Sequence, residues 1–138
     1  MKTLIVDDNF VARRFLKDAL ASFGDCDVVT DGKEAVQAFR LAWEDQEPYD
    51  LICMDIMMPE MDGHEALQAI RTIEEKMGIA LTSKEVKVIM VSALDDPKNV
   101  VGAYAKGGAT EYAVKPVSKD VLVEKIKAMG LLANAETS

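Results

Sequence analysis

Five short aliphatic runs recur along this chain, and between them lie longer stretches with apolar residues at helical spacing. The runs are TLIV (3–6), CDVVT (26–30), DLICM (50–54), VKVIMV (86–91) and EYAV (111–114). Most are apolar at successive rather than alternate positions, which suits strands buried on both faces. A parallel sheet with helices on each side buries both faces, and every parallel connection needs a crossover. The alternation therefore predicts an α/β fold: a doubly wound five-stranded parallel sheet with five helices, a three-layer sandwich with right-handed crossovers.

The intervening stretches carry their own punctuation. NFVARRFLKDALASF places Ala12, Phe15, Leu16, Ala19, Leu20 and Phe23 at helical spacing, and Gly24 ends that helix. Asp31-Gly32 turns the chain into a second helix through Ala35, Val36, Phe39 and Ala42, and Pro48 restores strand. A third follows Gly63 through Ala66, Leu67, Ile70 and Ile73 and fades near Gly78; KMGIALTSKEVK (76–87) is the least regular stretch. Asp95 or Asp96 can cap a fourth, with Pro97 in its first turn and Gly107-Gly108 closing it. Ser118 caps the last, which carries Val121, Leu122, Ile126 and Met129. The expectation is one domain over residues 1–130 with a frayed tail at 131–138, and no repeat or linker.

Composition narrows the function classes. The formal net charge is −8, carried by the first two thirds of the chain, while the last third is near neutral and rich in lysine. An acidic chain is a poor non-specific partner for nucleic acid, which needs a positive surface to displace counterions. Cys26 and Cys53 fall on separate strands and form neither a disulfide framework nor a metal pair. KTLIV is too short for a signal-peptide core and no apolar run approaches membrane length, so a cytoplasmic protein without membrane insertion is expected.

In an open parallel sheet, functional groups collect at the carboxyl ends of the strands. Here Asp7 and Asp8 follow LIV, Asp55 follows LICM, Ser92 follows IMV, and Lys115-Pro116 follows EYAV. Topology alone thus gathers three acids, a hydroxyl and an ammonium on one edge. Three packed carboxylates repel unless a cation joins them, and a hard divalent ion with oxygen ligands, Mg²⁺ for preference, resolves this. Such a site suits phosphoryl transfer. Asp55 is an anion at neutral pH and needs no general base, while the metal, Lys115 and Ser92 can stabilise the equatorial oxygens of the transferring group. The product is an aspartyl phosphate.

VDDN with Arg13-Arg14, MDIMMPEMDG, VSA and EYAVKP together resemble the signature set of response-regulator receiver domains of two-component signalling, over roughly residues 2–130. The resemblance implies a flavodoxin-like fold with strand order 2-1-3-4-5. It implies Asp55 as phosphoacceptor, with a phosphohistidine donor on a sensor histidine kinase or phosphotransfer protein. Asp8, Asp55 and the backbone carbonyl of Met57 would ligate Mg²⁺, which Mn²⁺ can replace, and Asp7 would act mainly through water. Ser92 and Tyr112 take the switch positions, Lys115 the invariant lysine position, and Lys115-Pro116 the cis peptide. Met57 and Leu94 take the two positions that border the path of water during dephosphorylation. The face of the fourth helix, fifth strand and fifth helix is the implied output surface, toward an unidentified downstream protein or a second copy in a homodimer.

Plainer readings exist for each residue. Asp7-Asp8 alone could be a strand end and helix cap, Ser92 a loop hydroxyl, and Tyr112 a half-buried strand aromatic. Gly63 reads as structural, ending the loop opened by Pro59, with a positive φ. Met54, Met57, Met58 and Met61 resemble a cofactor box, but such thioethers are usually gap fillers. His64 reads as a surface residue, and Asp50 as a solvated strand opening. A haloacid-dehalogenase-type phosphatase also uses a strand-tip aspartate with Mg²⁺, but needs a second acid where this chain has Met57. An FMN carrier wants a hydroxyl-rich loop where this chain has acids. The expected chain is a stand-alone regulator that catalyses only its own phosphorylation and dephosphorylation; the alternative is a receiver excised from a larger protein or a phosphorelay shuttle.

Overall fold

The structure, a computed structural model, describes residues 1–93 and 108–132. Five strands form one parallel sheet in the order β2-β1-β3-β4-β5. They are β1 (Thr3–Val6), β2 (Cys26–Val29), β3 (Leu51–Met54), β4 (Lys87–Ser92) and β5 (Glu111–Val114). Helices α1 (Phe10–Leu20), α2 (Gly32–Glu44) and α3 (Gly63–Met77) connect them, and a C-terminal helix spans Lys119–Ala128. The expected fourth helix, with Asp95, Asp96, Pro97 and Gly107 at its ends, lies outside the described residues.

Strand alternation divides the core into two layers. Leu4, Val6, Ile52, Met54, Val88, Met90 and Tyr112 face α2 and α3, joining Phe39, Leu67 and Ile70. Ile5, Leu51, Cys53, Ile89, Val91 and Ala113 face the other side, joining Leu16, Leu20, Leu122 and Ile126 of α1 and the C-terminal helix. Every residue of β1 and β3 is buried, as their unbroken apolar runs require, whereas the edge strand β2 is partly open.

The helices begin where side chains meet their first unpaired amides. Asn9, Asp31, Asp62 and Ser118 each accept from the backbone N–H three residues on. Asp62 and Glu65 form a reciprocal capping box at α3, and Gly78 closes that helix at φ 76°. Phe15 is 39% exposed, because α1 rests on the sheet through Leu16, Ala19 and Leu20 and leaves Phe15 on its flank. Leu132 is buried against the second core layer; residues 133–138, the rest of the expected tail, lie outside those described. Among the described residues no helix is long and apolar enough to cross a membrane.

Candidate functional site

The register of the sheet builds the site. Val6 pairs with Met54, and Met54 pairs with Met90, so the residues that follow Val6 and Met54 emerge side by side. Backbone bonding continues past the strand tips: Asp55 N–H donates to Val6 O at 2.9 Å and Lys115 N–H to Ser92 O at 2.8 Å. Both functional side chains therefore stand on backbone fixed by the sheet.

One carboxylate oxygen from each of Asp7, Asp8 and Asp55 lies within 4.8 Å of the others. Asp7 is buried, Asp55 is 8% exposed, and Asp8 opens to solvent. Lys115 Nζ donates to Asp7 Oδ2 at 2.8 Å and to Asp55 Oδ2 at 3.3 Å. Burial alone would lower the Lys115 pKa. The hydrogen bond to Asp7 and the charges of Asp55 and Asp7 outweigh it, so the net shift is upward and the ammonium is secured. One ammonium against three acids leaves the cluster open to a further cation, and hard oxygen donors on a solvent-facing rim fit Mg²⁺.

Asp7 is held at both oxygens and at its carbonyl. Asn9 N–H donates to Oδ1 at 2.9 Å, and Arg13 Nη1 donates to the Asp7 carbonyl at 3.0 Å. Asn9 also caps α1, so one residue ties the acid-bearing turn to the helix that follows. The signal for Arg13 in the sequence is its place one turn past Asn9, in the helix that follows the acids.

Gly63 is needed for a different reason from the positive φ expected of it. It opens α3 as a helical residue, and its N–H donates to Ile56 O at 2.8 Å. A Cβ there would lie 2.3 Å from the Asp55 carbonyl oxygen and 2.8 Å from both Ile56 Cα and Met90 Cε. The helix thus touches the backbone of Asp55 itself, and only glycine permits the approach. The positive φ in this loop belongs to Glu60, at 69°.

Ser92 ends β4, 1% exposed, and its backbone anchors Lys115. Tyr112 on β5 pairs with Met90 on β4 and is 6% exposed, so here its ring lies inside the α2–α3 core layer rather than half in solvent. The Lys115–Pro116 peptide is cis. Leu94 lies outside the described residues. Met57 is 64% exposed, while Met54 is fully buried and Met58 and Met61 pack against the core. His64 is half-buried beside Arg40 and Gln68 in a groove between α2 and α3, and is not one of the converging groups. Asp50 is exposed and accepts from Lys2 N–H at 2.8 Å.

A buried pair in α3 escaped sequence reasoning. Glu74, fully buried, accepts from Arg71 Nη1 at 2.6 Å and from Val86 N–H at 2.7 Å. Arg71 also donates to Gly108 O through Nε at 3.1 Å and Nη2 at 2.8 Å. The signal was an acid four residues after Ile70, on the apolar stripe. Desolvation raises the Glu74 pKa, against the opposing hydrogen bonds from Arg71 and Val86.

Comparison with known proteins agrees with this geometry. The family model described as the response regulator receiver domain matches residues 3–127. The chemotaxis protein CheY of Bacillus subtilis is 35% identical over 125 residues, covering 91% of this chain and 93% of that protein. CheY of Borrelia burgdorferi, in a structure of the CheX-CheY-BeF₃-Mg²⁺ complex, superposes with a TM-score of 0.78 at 26% identity, covering 96% of this chain and 90% of that one. The receiver domain of the Arabidopsis thaliana histidine kinase CKI1, solved with Mg²⁺ and BeF₃⁻, superposes at 0.74 with 28% identity, covering 91% and 89%. With its five-stranded order, its strand-tip acids and a family match over nearly its whole length, the chain belongs to the response-regulator receiver family.

Proposed function

We propose that this receiver takes a phosphoryl group onto Asp55 from a phosphohistidine and passes the change to a protein partner. The observation that carries the reading is the bridge of Lys115 Nζ between Asp7 and Asp55 at the rim of a three-carboxylate cluster. Asp55 Oδ attacks phosphorus, the P–N bond breaks, and the donor imidazole leaves with the electron pair. Lys115 offsets charge on the phosphoryl oxygens, and the Ser92 hydroxyl, brought to the same edge by β4, hydrogen-bonds one of them. Asp7, Asp8, Asp55 and the carbonyl of Met57 would hold Mg²⁺, with Mn²⁺ as a substitute. When bound, the metal supplies positive charge that draws the incoming phosphoryl group into an acidic site.

The donor is a sensor histidine kinase or a phosphotransfer protein. Its approach is supported by the apolar surface beside Lys115, where Val11 (74% exposed) and Phe15 line a groove with Pro116 and Val117. The output face is the one that includes β5 with Tyr112, and its target or dimer mate binds there. The chain acts in the cytoplasm, and its catalysis is confined to gaining and losing its own phosphoryl group.

The test is incubation with acetyl phosphate and Mg²⁺, read by intact mass. One phosphoryl group is expected, absent in Asp55→Asn and suppressed by chelation. Equal labelling of Asp55→Asn would overturn the assignment.

A further inference from the structure

We propose that Met57 is an oxidant-sensitive modification site that shortens the life of the phosphoryl group on Asp55. The proposal rests on Asp55 being the acceptor. Ile56 fills the core slot beside the acceptor at 4% exposure, and the chain then turns outward, leaving Met57 64% exposed two residues past Asp55. Met54 on β3 and Met90 on β4 are fully buried, and Met58 and Met61 pack partly against the core. The most exposed of these methionines is thus the one two residues past Asp55.

The chemistry is a two-electron transfer from a thioether to a peroxide. The sulfur lone pair attacks one peroxide oxygen, the O–O bond breaks, an S–O bond forms, and the second oxygen leaves as water after taking up a proton. Sulfur is oxidised by two electrons and the peroxide is reduced by two. The product is a sulfoxide, whose oxygen is a strong hydrogen-bond acceptor where the thioether was a weak one.

That exchange bears on hydrolysis. Loss of the phosphoryl group requires a water whose oxygen bonds to phosphorus as the P–O bond to Asp55 breaks and the carboxylate leaves with the electron pair. An apolar thioether cannot orient such a water, whereas a sulfoxide oxygen at the rim can. A flexible acceptor is a weaker device than a positioned general base, whose contribution starts at about 10²-fold. The expected acceleration is therefore about threefold to tenfold.

The molecule carries its own control. Met77, 40% exposed, sits at the far end of α3, about 20 Å along the helix from Gly63. The full chain is treated with hydrogen peroxide, freed of oxidant, and mapped by peptide mass spectrometry. It is then phosphorylated with acetyl phosphate and Mg²⁺, and decay is followed after donor removal. Met57 should be oxidised ahead of Met54 and Met90, decay should quicken, and methionine sulfoxide reductases should restore the original rate. Met77→Leu should keep the oxidant effect, and Met57→Leu should show the same decay with and without oxidant. Unmodified Met57 where Met77 is oxidised, equal or slower decay, or an oxidant effect persisting in Met57→Leu would each overturn the proposal. If the unoxidised protein takes no label at Asp55, the acceptor reading itself fails, and the two failures are told apart before any oxidant is added.

Discussion

Lys115 and Asp7 are joined by a 2.8 Å ion pair across 108 residues of sequence. Their strands are not neighbours, because β3 and β4 lie between β1 and β5. The lysine side chain spans that gap over the tip of β3, and on the way its Nζ comes within 3.3 Å of Asp55. The ammonium therefore occupies space a metal or phosphoryl group would share electrostatically, which makes its removal informative.

Lys115→Met should tighten Mg²⁺ binding while slowing phosphorylation. Removing a like charge a few ångströms from the cation site is worth on the order of 1.4 kcal/mol, or roughly tenfold in affinity. Loss of a charge-stabilising donor should slow transfer from acetyl phosphate by about 10²-fold. Calorimetric titration and initial labelling rates check both. Because the native Lys115 pKa is raised, the ion pair's stability is fully present below the ordinary lysine value and is lost only as pH rises through the elevated one. Denaturant midpoints of the two proteins should therefore keep a constant difference through neutral pH and converge only in strong alkali.

Gly63→Ala should disturb both fold and chemistry. The added methyl would meet the Asp55 carbonyl and Ile56 backbone, which a flexible side chain cannot relieve. A cost of about 1–3 kcal/mol is expected in chemical denaturation. Labelling of the folded variant should also slow, since the displaced peptide is that of Asp55. Normal labelling in a destabilised protein would separate packing from positioning.

Removing the buried carboxylate of Glu74 should be costly. Glu74→Ala leaves the Val86 amide without its acceptor and takes one partner from Arg71, which keeps Gly108 O, Val86 O and Glu85. The expected cost is about 1–3 kcal/mol. The native Glu74 carboxyl binds its proton more tightly than the unfolded one. Its contribution therefore makes stability fall as pH rises from the ordinary carboxylate range through the native value. Urea midpoints of native protein and Glu74→Gln across pH 4–8, a range set by ordinary carboxylate pKa values, should differ in slope with that sign.

Met57→Asn or Met57→Glu should speed loss of the phosphoryl group by supplying a side chain that orients water, on the order of 10²-fold for the better of them. Decay after donor removal is the measurement. Equal or slower decay in both would show that water orientation does not limit this site.

Activation should reach beyond the acids. With beryllofluoride and Mg²⁺, amide shifts are expected at Ser92 and from Thr110 to Val117, because Ser92 and Lys115 share a backbone hydrogen bond and Tyr112 lies in the same ladder. Shifts confined to Asp7, Asp8 and the Asp55 loop would count against transmission through β4 and β5.

Much of this was legible from the chain alone. Unbroken aliphatic runs such as LICM can only be satisfied between two helical layers, and the period of Ala66, Leu67 and Ile70 marks the helix that covers them. Parallel strands all end at one edge, so the companionship of Asp7, Asp55, Ser92 and Lys115 follows from topology before any distance is known.

Tertiary structure decided what depends on close approach between distant segments. Gly63 could be seen as structural, but that it makes room for the Asp55 carbonyl follows only from how α3 packs on β3. Glu74 sits on an apolar stripe with Arg71 one turn before it, yet its other partner, the Val86 amide, is named only by the path of the loop into β4. Met57 and Met54 are the same residue type three positions apart, and only the turn of the chain after Ile56 makes one exposed and the other buried. Local pattern determines which face of an element is apolar; which atoms meet across elements is set by packing, which no single segment encodes.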